Sequence, residues 1–164
     1  MRAELEYSAG AMKQRLLEYR ESEREIDGQI ERLERLITKM TGVGSQVISD
    51  MPRNHNASTD RMADMIAQKD ELDALIREAI NQQANERKFF ENLLKQLRKS
   101  DERLVIRMRY IDGESWNGVC DMMFGAKDDY DDKRESYLRR VYQVHGHALA
   151  HMAQLAAELS RTQR

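Results

Sequence analysis

The sequence predicts an all-α protein: a long N-terminal antiparallel helical hairpin (a coiled coil) over residues 1–99, then a helix-turn-helix-like three-helix domain over residues 100–164. Three observations point there. Helix breakers are scarce, with one proline and eight glycines in 164 residues, against abundant Leu, Ala, Glu, Lys and Arg. Apolar residues in the first forty recur alternately every four and three positions, the spacing of a coiled-coil seam. After Ser100 the pattern shortens into three segments separated by turn residues, which is the layout of a helix-turn-helix domain.

The first helix carries the seam Leu5, Ala9, Met12, Leu16, Tyr19, Glu23, Ile26, Ile30, Leu33, Ile37 and Met40. Glu23 is its only polar member, and a buried polar seam position sometimes sets register. The seam stops at "TGVGSQVISDMPRNHNAS", residues 41–58, where two glycines, Pro52 and several capping residues predict a loop. A second helix is predicted from about Thr59 to Lys99. Met62, Met65, Ile66, Leu72, Leu75, Ile76, Ala79 and Ile80 form its stripe, and Phe90, Leu93, Leu94 and Leu97 resume it after the polar interruption "NQQANERK". Each helix would extend roughly 50–60 Å, and neither can bury its stripe alone. Folding one against the other across the loop solves this, as does pairing hairpins between subunits. A plain scaffold accounts for this half of the chain.

"SDERLVIRMRYI" reads as a helix capped by Ser100 or Asp101, with Leu104, Val105, Met108 and Ile111 inward. Asp112 and Gly113 make a turn. "ESWNGVCDMMF" is a short helix starting near Glu114 or Ser115, with Trp116, Val119, Cys120 and Met123 on its apolar side, and Gly125 ends it. The last helix carries Leu138, Val141, His145, Ala148, Met152, Leu155 and Leu159 on one stripe. Between them lies "GAKDDYDDKRE". It is either an inserted loop or the start of the last helix near Lys127; the absence of further glycine or proline favours helix, with Asp128 and Asp129 at the positive end of its dipole.

Composition narrows the function. Charged residues make up 34% of the chain, yet the net charge is only −2, so a DNA-binding surface must be a local patch. Cys120 is the only cysteine, which excludes an internal disulfide framework and a cysteine-rich zinc site. The opening "MRAELEYSAGAMKQ" lacks the apolar core of a signal peptide, and no later run is long enough to span a membrane. A cytoplasmic protein without membrane contact is expected, and the sequon at Asn56 is read as accidental. There is no Ser/His/Asp set at catalytic spacing, no phosphate-cradling glycine loop and no calcium-loop spacing in "DDYDD". No enzyme, no cofactor and no small-molecule substrate are predicted.

The tail is more specific. "RMRYIDGESWNGVCDMMFG" followed by "VYQVHGHAL" resembles the C-terminal domain of phage and prophage late-transcription regulators of the ArpU and RinA type. These in turn look like the promoter-reading fourth region of bacterial sigma factors. The shared pattern falls on Arg107, Tyr110, Ile111, Ser115, Trp116, Val141, Tyr142, Val144, His145, Gly146, Ala148 and Leu149; where that family carries an arginine after the tyrosine, this chain has Gln143. The N-terminal half, with its "DMP" loop between long helices, resembles a phage family bearing the same tail. The resemblance implies binding of double-stranded DNA at a phage promoter or regulatory site, with possible contact to host RNA polymerase.

On a helix over residues 136–159, Ser136, Arg139, Arg140, Gln143 and His147 fall opposite the apolar stripe. Arginine addresses guanine edges or phosphates, and glutamine bonds adenine. A second basic cluster, Arg98, Lys99, Arg103, Arg107 and Arg109, offers phosphate contacts, with Arg103 and Arg107 its candidate DNA-binding members. The plain alternative for both clusters is a solvated helix face. His147 and His151 share a face at zinc-ligand spacing, but no third ligand adjoins them, so no metal site is predicted. Trp116 and Tyr110 are read as core rather than stacking residues. The expected protein is therefore a DNA-binding regulator that self-associates through its coiled coil into a homo-oligomer. The rivals are a protein-interaction adaptor without DNA binding and a DNA-packaging recognition subunit.

Overall fold

The computed structural model describes residues 7–42 and 55–162, which are almost entirely helical, with no strand among them. Leu5 of the seam and residues 43–54, including the "DMP" motif, lie outside the described residues. Helix α1 is Ala9–Gly42 and α2 is His55–Gln96, so α2 begins about a turn earlier than its sequence predicts. The two pack together as an antiparallel hairpin. Helix α3, Ser100–Ile106, runs into a π-helical turn at Arg107–Ile111; α4 is Trp116–Phe124 and α5 is Tyr130–Thr162.

Two compact units divide the chain. One joins residues through Glu21 to those from Asn85 onward, and the other is Ser22–Ala84. This differs from the boundary expected at residue 99, because the base of the hairpin belongs with the C-terminal helices. The reason lies on α5. Its second half carries Ala148, Leu149, Met152, Ala153 and Ala156, all buried, and they enter one cluster with Met12, Leu16 and Tyr19 of α1 and Phe90, Leu93 and Leu94 of α2. Ile106 and Tyr110 join the same cluster. Burying a Leu or Phe side chain is worth about 1.5–3 kcal/mol, so this shared core is the strongest part of the molecule. Polar contacts fix its register: Arg15 forms a two-pronged bond to Glu86 at 2.8 and 2.7 Å and lies 3.8 Å over the Phe89 ring.

A second cluster holds the helix-turn-helix region: Val105, Met108, Val119, Cys120, Phe124, Tyr130 and Val141. Leu104, expected inward, is instead exposed at 41%, because Ile106 and Tyr110 take the side of α3 that meets the hairpin base.

Among the described residues of the Ser22–Ala84 unit, only Ile26, Leu72 and Ile76 are buried. The predicted seam weakens there. Ile37, Ile66, Leu75 and Ile80 are exposed, and so is Glu23. A pair of helices covers one stripe on each partner and leaves the flanks open, which is why these residues, placed on the stripe by spacing alone, remain outside.

Candidate nucleic-acid interface

The turn between α3 and α4 is built from its backbone. The π-turn closes with the Asp112 N–H donating to Arg107 O at 2.9 Å, and the Glu114 N–H donates to Met108 O at 2.9 Å. Gly113 sits at φ +76°, a left-handed conformation that a side chain would strain. Ser115 caps α4, its Oγ accepting from the Gly118 N–H at 3.0 Å. Two arginines clamp the turn: Arg20 donates to Gly113 O at 2.9 Å and Arg109 to Glu114 O at 2.7 Å. The Arg109 guanidinium also lies 4.7 Å over the Trp116 ring.

Residues 125–129 connect α4 to α5. Helix α5 starts at Tyr130, three residues later than Lys127, and departs from helical geometry at Lys133 (φ −118°, ψ 19°). Neither a pure loop nor an unbroken helix from Lys127 describes this stretch: one acidic turn precedes a kink. One of its four aspartates is paired within the stretch. Asp129 accepts from Lys133 and from the Tyr137 hydroxyl, both at 2.7 Å, and these bonds hold its carboxyl below the usual range. The Tyr130 hydroxyl donates to Asp121, which also accepts from Arg134 at 3.2 Å. Asp131 and Asp132 remain exposed in the first turn.

Beyond the kink the predicted face is assembled. Ser136, Arg139, Arg140, Gln143 and His147 are all exposed, while Val141, His145 and Ala148 on the opposite side are buried. Arg140 rests 5.4 Å from the Phe124 ring. What the helix stands on is well defined. The His145 Nε2 and the Tyr110 hydroxyl are 2.9 Å apart, and the Trp116 ring meets His145 edge-on at 4.9 Å and Tyr142 at 5.0 Å. Burial, aided by the charges of Lys13 and Arg109, pushes the His145 ring down to about 4, so it is neutral at physiological pH.

The second basic cluster is not brought together as a phosphate-tracking surface. Arg103 donates to Leu97 O at the end of α2, and Arg107 pairs with Glu91 at 2.7 Å. Lys99 stands 3.5 Å from Glu102. These cations serve helix ends and ion pairs. The histidine pair also separates: His147 is exposed, whereas His151 Nδ1 bonds Glu102 Oε2 at 2.8 Å. No cluster of potential metal ligands occurs among the described residues. Glu102, only 2% exposed, escapes sequence reading because it looks like an ordinary first-turn acid; its partner lies 49 residues away.

The sequence pattern of one family matches residues 53–141, more than half of the chain. The protein belongs to the family described as "Protein of unknown function (DUF1492)". The matched span of this DUF1492 member runs through α2, α3, the clamped turn and α4, and ends within α5 at Val141, after Arg139 and Arg140. No curated protein and no solved structure matches the chain. No helix among the described residues is long and apolar enough to cross a membrane.

Proposed function

We propose that the protein is a DNA-binding transcriptional regulator of the phage late-gene-activator type, acting in the cytoplasm and carrying its DNA-reading face on α5. One observation carries this reading: Ser136, Arg139, Arg140, Gln143 and His147 line the exposed side of a helix whose reverse side is buried in the core. A reading helix must keep its polar side chains outward while the scaffold fixes its position, and α5 meets both demands. The resemblance of the tail to ArpU- and RinA-type regulators supports the same reading.

In this account α5 enters the major groove beyond its kink. Arg139 and Arg140 address guanine edges or phosphates, and Gln143 bonds an adenine edge. The internal pairing of Asp129 and Asp121 lowers the repulsion the acidic turn would otherwise exert on phosphates. With a net charge of −2, attraction to bulk DNA is weak, so affinity depends on the correct sequence. The hairpin serves self-association or contact with RNA polymerase.

A second reading, a protein-interaction adaptor without DNA binding, is favoured by exposed Asp131 and Asp132 and by the pairing of Arg103 with Leu97 O and of Arg107 with Glu91. Selection of bound duplexes from a random library separates the two. A regulator enriches one sequence motif, whereas an adaptor enriches none.

A further inference from the structure

We propose that one flank of the hairpin, centred on Leu75, is a docking face for a second copy of this chain, with α1 of each copy lying against α2 of the other. This rests on the self-association part of the reading above and gives it a surface and an orientation.

The flank is a groove between the helices. Leu36 and Leu72 form its floor, and Leu75, 55% exposed, stands at its edge. Its two walls carry opposite charges. On α1, Arg32, Arg35 and Lys39 line it, spaced three and four apart and therefore on one side of the helix. On α2, Glu71 lines it, and Asp64 and Glu78, each seven residues away and exposed, extend the same line along the helix. A surface with a cationic half, an apolar floor and an anionic half is complementary to itself, as a two-fold interface requires.

The charges also select the orientation. A two-fold axis perpendicular to the hairpin would set α1 on α1 and cations on cations. An axis along the hairpin sets α1 on the partner's α2, with both tips pointing the same way. Arg35 then faces the partner's Glu71, Arg32 approaches the partner's Glu78, and Leu75 meets the partner's Leu36. Arg35 is presently paired with Glu31 at 2.9 Å, an exposed pair of the kind that contributes little and exchanges readily. Two helices about 10 Å wide and ~30 Å long offer roughly 600 Å² per copy, or about 1,200 Å² in total, which reaches the size of a specific interface. The need is evident as well, since only three side chains among the described residues of this unit are buried.

The test uses the full chain with Arg35→Glu, Glu71→Arg and an equimolar mixture of the two, followed by sedimentation velocity and circular dichroism. Both positions are exposed, so helicity should not change. The parent should be a dimer. Each single variant places like charges opposite each other twice and should weaken the dimer at least tenfold. The mixture should recover a heterodimer close to parental affinity, because the carboxylate introduced at position 35 of one chain then meets the guanidinium introduced at position 71 of the other; a contact within one chain cannot be restored by mixing. A monomeric parent, single variants that dimerise like the parent, or a mixture that stays monomeric would each overturn the proposal. So would a dimer broken by Ile66→Asp but indifferent to Leu75→Asp. Binding of a selected duplex, followed separately by fluorescence anisotropy, reports on α5 alone: loss of DNA binding with the dimer intact would defeat the regulator reading and leave this one standing.

Discussion

Position 145 places an imidazole where the α5 stripe otherwise carries Val141, Ala148 and Met152. Spacing in the sequence puts His145 on the buried side, but its partner is invisible there, since Tyr110 lies 35 residues away and only the fold brings them within 2.9 Å. The pairing has a pH consequence. An unfolded chain protonates this ring near pH 6.5, whereas the folded ring stays neutral down to about 4. Between those values the unfolded state holds the extra proton, so this contribution to stability is complete above pH 6.5 and is lost as pH falls towards 4. The slope is at most ~1.4 kcal/mol per pH unit. Urea unfolding at stepped pH should show His145→Gln with a shallower acid slope than the parent. Equal slopes would mean that the ring is protonated in the folded protein.

Among the elements, the long amphipathic helices are legible because a period of 3.6 residues forces apolar positions onto one side. The α4 start is legible for another reason: Ser115 is a capping residue directly before an apolar segment, and its hydroxyl does accept the Gly118 N–H. Ser115→Ala should therefore lower the unfolding free energy by about 1 kcal/mol, as urea titration would measure; no change would leave the cap without energetic weight. The α4–α5 connection is much less legible. Composition alone leaves loop and helix open across residues 126–135, and the outcome, a helical turn broken at Lys133, depends on side chains. Asp129 collects both Lys133 and Tyr137, and Tyr130 turns back to Asp121. The partners of Arg103 and Arg107 are hidden from the sequence for a similar reason. Nothing local reveals that Glu91 and Leu97 O wait for Arg107 and Arg103.

At the scale of the molecule, the core that unites the hairpin base with α5 means the helix-turn-helix region is not self-sufficient. A fragment of residues 100–164 would leave Ile106, Tyr110, Leu149 and Met152 without Leu16, Phe90 and Leu93 to cover them. It should show little cooperative thermal unfolding, and a fragment that melts as sharply as the whole chain would place the core elsewhere. This shared core also bears on function, because it fixes the outer side of α5. The most direct test of the central claim is Arg139→Ala with Arg140→Ala in the full chain, measured against a duplex selected by the parent at matched salt. Both side chains are exposed, so thermal stability should move by no more than about 0.5 kcal/mol. Loss of a base-contacting arginine should weaken binding by roughly 1–3 kcal/mol, and loss of a phosphate contact should reduce the salt slope by about one. A double variant that binds the selected duplex as tightly as the parent, with an unchanged salt slope, would contradict the assignment of α5 as the DNA-reading helix.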